Sequence, residues 1–351
     1  MNPLPLSCCG ETDATGYLGV THHCEWSSSV GPDNLDQLTL SQRIPGHWAV
    51  PVPFQWRGHD VLHLNADIGS LGALPLEVLH QILHELDIAT LARLQRVSQG
   101  IKLAVGSLPL LRALLDFGAE IIRGIAATKT GSLMVCRELY AKFRQPFCDN
   151  CRHVGMYLYL LTCKRVCFDC LTKTYRYRPL RPMQANYLYS LKLDTVRSFS
   201  TFTVPTYTSS TNPARESNIF HQRRLIPNTT SWRLVDHSAV LEHALRAYGS
   251  LDVIRIRLQK RMDAPPRRRT LSGRSRARPT MPGVETSLAC AVAFPWFDRR
   301  SGTSVSASVL CAACMQSGIP LAQCYFTMAH FNEHVKAMGK VIGRAHVRLA
   351  S

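Results

Sequence analysis

Phe147 to Cys170 reads FCDNCRHVGMYLYLLTCKRVCFDC. Cys148 and Cys151 form one Cys-x-x-Cys pair and Cys167 and Cys170 a second, with fifteen residues between the pairs. That is the spacing of a four-cysteine zinc site. Each short turn presents two thiolates from one knuckle, and two knuckles close a tetrahedron around zinc at about 2.3 Å per sulfur. Four thiolates leave no open coordination position, so the site is expected to be structural, not catalytic. Cys163 is the alternative ligand, and His153 a weaker one.

A second candidate lies downstream. Cys311 and Cys314 form another Cys-x-x-Cys, and TMAHFNEHVKAMGKV places His330 and His334 one helical turn apart. Two cysteines followed by a His-x-x-x-His helix can bind zinc, so Cys311, Cys314, His330 and His334 are the expected ligands, with Cys324 as an alternative. Catalytic patterns are missing. A zinc deaminase would want His-x-Glu followed by Pro-Cys-x-x-Cys. The His-x-Glu here is His23-Cys24-Glu25, far from Cys148, and Phe147 separates Pro146 from Cys148. Neither a nucleophile triad, a phosphate loop nor a dinucleotide fingerprint stands in the chain, and the enzyme reading is set aside.

The elements that must carry these knuckles are mostly helical. Leu74 to Leu115 holds three apolar series at helical spacing. The first is Leu76, Leu79, Ile82, Leu83 and Leu86; the second is Ile88, Leu91, Leu94 and Val97; the third is Ile101, Leu103 and Val105. Asp87 is the expected N-cap of the second helix. Three short helices cannot each bury a stripe alone, so they pack together or on a partner. Further helices are expected through Ile125, over Leu133–Phe143 with Cys136 as a small buried hydrophobe, near Ser190–Ser198, and over His237–Tyr248, stopped by Gly249. Thr203–Asn218 reads as loop. Leu288–Phe294 and Val305–Leu310 read as the two strands of a β-hairpin that delivers Cys311.

At LPLEVLHQIL, the Leu86-Asp87 break and the LARLQRVS run, the sequence resembles the F-box family. RVCFDCL, FPWFDRRSG and the late Cys-x-x-Cys with its EHV helix resemble the filamentous-fungal F-box proteins in which cysteine knuckles follow the F-box. Met338 stands where that group tends to place a cysteine after the helix histidine. The resemblance implies helices that dock on the Skp-type adaptor of a cullin ubiquitin ligase. The docking residues would be Leu74, Pro75, Leu76, Leu79, Ile82 and Leu86.

Composition narrows the rest. The excess of basic over acidic residues, 41 against 24, gives +17 and favours nucleic acid, an acidic protein surface or a nuclear address. Lys260–Arg278 supplies much of it as a flexible basic loop. The N-terminus lacks a basic start and an apolar run, so a secretory signal is not expected. The 13 cysteines are therefore expected to be reduced and intracellular, in nucleus or cytoplasm.

The expected class is α+β, mostly helical: a flexible leader over 1–70, the three-helix unit over 71–117, a helical linker over 118–145, and a zinc-stapled domain over 146–345 with a hairpin and the basic loop at 260–284. The expected function is a non-enzymatic substrate receptor of a Skp–cullin–F-box ligase, holding an unknown protein target. The alternative is a basic zinc protein that binds nucleic acid, which would bind through phosphates and weaken steeply with salt.

Overall fold

The computed structural model describes residues 54, 68–199, 201–209, 225–263, 284–298, 303–305, 309–342 and 345–347. Most of the leader and residues 264–283 of the basic loop lie outside that set. The fold is α+β and mostly helical, with five small sheets among the described residues. The described residues form two compact units, one within Thr39–Leu171 with Cys290–Ser351 and one within Thr172–Ala289. The single span expected over 146–345 is thus divided in space, with the second unit interrupting the first along the chain.

Helices α1 (Leu76–His84), α2 (Ile88–Leu94) and α3 (Gln99–Gly106) match the three apolar series. Pro75 occupies the N-cap of α1. The Asp87 carboxylate caps α2 by accepting from the Thr90 amide at 2.8 Å, as its position before the apolar series predicts. Ser98 caps α3, accepting from the Ile101 amide at 3.2 Å. The core of this unit is built from Leu79, Leu83, Ile88, Leu91, Ile101 and Val105, all buried. It extends into α4 (Pro109–Thr128), kinked at Gly118, and α5 (Cys136–Arg144). The stretch read as a linker is part of the packing: the Ile88 amide donates to the Met134 carbonyl and the Cys136 amide to the Leu86 carbonyl, both at 3.0 Å.

After α5 the chain enters the first knuckle, then β1 (Tyr157–Tyr159) and β2 (Lys164–Val166), then α6 (Phe168–Lys173), which carries the second. β1 is buried along its length and sits between β2 and β5 (Ala291–Ala293), antiparallel to both. A strand 125 residues or more downstream in sequence therefore completes the sheet between the knuckles.

The interrupting unit contains α7 (Pro182–Tyr189), α8 (Leu193–Ser198), β3 (Thr201–Ser209), β4 (Leu225–Val235), α9 (His237–Tyr248), α10 (Leu251–Asp263) and α11 (Val284–Leu288). Leu180, Leu188, Tyr189, Val196, Val235, Val240, Ala244, Ile254 and Leu258 form its core. Two sequence expectations fail here. Thr203–Asn218 begins in a strand, because Phe202 and Val204 alternate inward against β4 and Pro205 is absorbed at an irregularity in the register. Lys260 and Arg261 belong to α10, not to the basic loop, and the Arg261 guanidinium donates to the Asn186 carbonyl.

Back in the first unit, β6 (Trp296–Asp298) and β7 (Thr303–Val305) form the hairpin. Its strands are not the apolar runs expected. Ala291–Ala293 pairs with β1, which is buried along its length, and β8 (Val309–Leu310) pairs with β9 (Tyr325–Phe326), so these segments pair outside the hairpin. The chain then runs through α12 (Ala312–Gln316), α13 (Leu321–Cys324) and α14 (Met328–Met338) to the hairpin of β10 (Lys340–Ile342) and β11 (Ala345–Val347).

Candidate functional site

Cys148, Cys151, Cys167 and Cys170 converge: their sulfurs all lie within 4.8 Å of one another. Cys151 and Cys167 are 3.5 Å apart, close to the edge of about 3.8 Å that a zinc tetrahedron with sulfur ligands requires. Backbone and side-chain N–H groups surround the sulfurs. The Asn150 amide donates to Cys148 Sγ at 3.4 Å, the Asn150 side chain to Cys170 Sγ at 3.3 Å, and the Cys170 amide to Cys167 Sγ at 3.4 Å. Such bonds stabilise thiolates. The S–H groups of Cys151, Cys167 and Cys170 hold the Cys148 thiol far below its ordinary range, while Cys167 is pushed up by its neighbouring sulfurs and by burial. A cation among the four sulfurs would let all of them ionise together.

Cys163, the alternative ligand, sits in the β1–β2 turn with φ 51. Burial pushes its thiol up to about 12, so it is a protonated hydrophobe. His153 Nδ1 lies 3.2 Å from Cys151 Sγ, beside the thiol group instead of in it, and its pKa is raised first by that bond.

One residue that sequence reading missed holds this centre in place. Arg165 is fully buried. Its guanidinium donates to the carbonyls of Lys142 (3.0 Å), Gly155 (2.6 Å), Phe294 (2.8 Å) and Pro295 (2.8 Å), and it stacks 4.1 Å over the Phe294 ring. Burial lowers its pKa to about 9, and the Asp149 carboxylate opposes the shift. Asp149 accepts from the Arg165 amide at 2.8 Å and pairs with Lys142 at 2.6 Å. Residue 155 must be glycine here: a Cβ would come within 2.6 Å of Arg165 Cγ and 3.1 Å of the Cys148 amide nitrogen. The only hint in sequence was an arginine between Lys164 and Val166, indistinguishable there from a surface charge.

The later cluster differs from expectation. Cys311, Cys314, His334 and His346 have one ligand atom each within 4.8 Å of the others. His330 is not among them: it is exposed, and its Nδ1 lies 2.9 Å from the Thr327 hydroxyl at the start of α14. The two histidines of an i, i+4 pair share a helix face, but the Thr327 cap holds the first at the terminus. Cys324 also points elsewhere, its S–H donating to the Ile319 carbonyl at 3.4 Å, with its thiol pushed up to about 11 by burial.

The apolar side chains of α1 and its approach divide cleanly. Leu79 is 2% exposed and belongs to the core, whereas Leu71, Leu74, Leu76 and Ile82 are exposed, Ile82 at 45%. Pro75 is exposed and Leu86 half-buried. On the α2–α3 connection Val97 is 71% exposed. A family model described as F-box domain matches residues 71–113, the stretch that holds this face and the three-helix core beneath it. These residues are an F-box domain. No curated protein and no solved structure matches the chain. Of the six F-box residues expected to dock, Leu74, Pro75, Leu76 and Ile82 are presented to solvent, while Leu79 supports them from below.

Outside the F-box, the second unit holds a buried polar group of its own. The Tyr189 hydroxyl donates to His237 Nε2, and His237 Nδ1–H donates to the Arg178 carbonyl at 3.1 Å. Both ring nitrogens are thus engaged by the neutral imidazole, and burial lowers the His237 pKa to about 4. A depressed histidine pKa stabilises the fold fully above the unfolded value and loses that contribution as pH falls toward the folded one. Between pH 6.5 and 4 we expect a loss of roughly 3 kcal/mol. Urea melts of metal-saturated protein from pH 7 to 5 would check it: His237→Gln should start less stable but show a shallower slope than wild type, and equal slopes would refute the assignment. Among the described residues no helix is long and apolar enough to cross a membrane.

Proposed function

We propose that the chain is a non-enzymatic substrate-receptor subunit of a Skp–cullin–F-box ubiquitin ligase, with a structural zinc at Cys148, Cys151, Cys167 and Cys170. The observation that carries the reading is the F-box at 71–113 with its apolar side chains held outward. Leu71, Leu74, Leu76, Val78, Ile82 and Val97 face water on a unit whose core is already filled by Leu79, Leu83, Ile88 and Leu91. Exposed apolar side chains gathered on α1 and the turn that leads into it mark an interaction surface. A Skp-type adaptor would cover them, with a few anchors supplying most of the affinity. The chain beyond the F-box would then hold a protein target, and the donor set of the first knuckle pair suits zinc, which would supply rigidity and no reaction step.

The test is co-purification of the full chain with its Skp-type adaptor. The surface pair Leu76→Asp with Ile82→Asp should remove binding, because each change places a charge in a desolvated contact. Together they are expected to cost about 4 kcal/mol or more, roughly a thousandfold in affinity. Neither side chain is in the core, so the melting temperature should hardly move. Leu74→Ala with Pro75→Ala, at the start of the motif, should weaken binding as well. Absence of association for wild-type protein at micromolar concentration would put the nucleic-acid reading first, on the strength of the +17 charge. That reading predicts affinity for duplex or single strands falling steeply between low and physiological salt.

A further inference from the structure

We propose that Cys311, Cys314, His334 and His346 form a second zinc site, and that this site fastens the β10–β11 hairpin to the rest of its unit. The geometry of four donor atoms carries the assignment. Cys311 Sγ to His346 Nε2, Cys314 Sγ to His334 Nε2 and Cys314 Sγ to His346 Nε2 are each 3.4 Å, and the two Nε2 atoms are 3.2 Å apart. Zinc bound to sulfur at about 2.3 Å and to nitrogen at about 2.0 Å has tetrahedral edges of about 3.5 Å (N···S) and about 3.3 Å (N···N). A tetrahedral two-sulfur, two-nitrogen set is the one that selects zinc among the common divalent metals.

The surroundings fit a ligand role and not a set of ordinary hydrogen bonds. His346 Nδ1 lies 3.0 Å from the Gly339 carbonyl. A carbonyl only accepts, so Nδ1 carries the proton and Nε2 turns a bare lone pair toward the other three donors, as an outer hydrogen bond does for zinc-bound histidines. Gly339 supplies that carbonyl from φ 102, a conformation that glycine alone takes readily. His334 is oriented by stacking on Phe326 at 4.4 Å between ring centroids. Both cysteines are buried. The four donor atoms lie within 4.8 Å of one another, and a cation among them would satisfy all four at once.

The structural consequence follows from how little else holds the hairpin. β10 and β11 have three residues each and, among the described residues, pair with one another and with no further strand; Val341 alone of the hairpin's apolar side chains packs against the cluster of Cys311, Ala313, Cys314 and Cys324. Val341 and His346 are half-buried, whereas Lys340, Ile342, Ala345 and Val347 are exposed. A two-stranded hairpin with so small an inner face is marginal in water. A metal bond through His346 would join it to α12 through Cys314 and to α14 through His334.

Zinc counting on the purified full chain tests the site independently of adaptor binding. Wild type should hold two zinc ions per chain. His346→Ala should hold one, while His330→Ala and Cys324→Ser should keep both. His346→Cys guards against misfolding of the alanine variant. It should keep two metals, and in the cobalt-substituted protein its sulfur-to-cobalt charge-transfer band should be stronger than that of wild type, from a third thiolate. The proposal is overturned by one zinc in wild type, by two in His346→Ala, by loss of a zinc in His330→Ala, or by one metal in His346→Cys.

Discussion

Cys167→Ser is expected to remove the folded form of the knuckle-bearing unit, not to trim it. Cys167 lies 3.5 Å from Cys151 and accepts from the Cys170 amide at 3.4 Å, so it belongs to both knuckles' hydrogen-bonding as well as to the thiol group. A structural zinc contributes on the order of 10–16 kcal/mol in small finger peptides at neutral pH, comparable with the whole stability of a domain at roughly 5–15 kcal/mol. Serine offers a poor ligand, so the three remaining sulfurs would hold the metal weakly and the two knuckles would lose their staple. The expected result is insoluble protein, or soluble protein short of one zinc with an expanded hydrodynamic radius. Serine at Cys163 should be mild by comparison, because that thiol is a protonated side chain in a turn. Elemental analysis and size-exclusion chromatography of the two variants give the comparison. A Cys167→Ser protein that stays compact and keeps its metal content would rule out the four-cysteine site.

Arg165→Met is expected to be the most damaging substitution away from the metal ligands. Methionine matches much of the side-chain volume, so the loss would be polar and not a cavity. It would leave the carbonyls of Lys142, Gly155, Phe294 and Pro295 without their donor. Each buried acceptor stranded in this way costs about 1–3 kcal/mol. Some would recruit water, so a total of about 4 kcal/mol or more is expected, read as a lower urea midpoint with an unchanged slope. Arg165→Lys should recover only part of this. An ammonium keeps the charge but cannot span four acceptors arranged for a planar fork. A stability loss below about 1 kcal/mol for methionine would mean that the four carbonyls find other donors and that Arg165 is not the tie between knuckle, α5 and the β5–β6 segment.

Much of the local architecture was legible from residue order. Apolar spacing at three and four residues marked α1, α2 and α3, and the Asp87 cap followed from an acidic residue just before a new series. Those signals are local: a helix hydrogen-bonds within itself, so its period and its ends are written in neighbouring residues. The first thiol group was equally legible, because each Cys-x-x-Cys turn is complete within four residues and the two turns needed only to meet. Which leucine faces water was not. Leu76, Leu79, Ile82 and Leu83 are equivalent as a pattern, and only the packing of α1 on its neighbours sends Leu79 and Leu83 inward and leaves Leu76 and Ile82 out.

The contacts that tertiary structure decided are those between residues far apart in the chain. β5 pairs with β1, so the run expected in a late hairpin serves the sheet between the knuckles. Arg165 is a core residue because carbonyls 129 and 130 residues away come to its guanidinium. His346 enters the second donor group, and His330 leaves it, because a short hairpin turns back on α14 while the Thr327 cap holds His330 at the helix end. Sequence by itself determined the three F-box helices and the two Cys-x-x-Cys turns of the first cluster, since each depends on short-range spacing. Strand pairing, the burial of a charge and the fourth member of a donor cluster depend on chain segments meeting in space, and spacing along the chain carries no record of that.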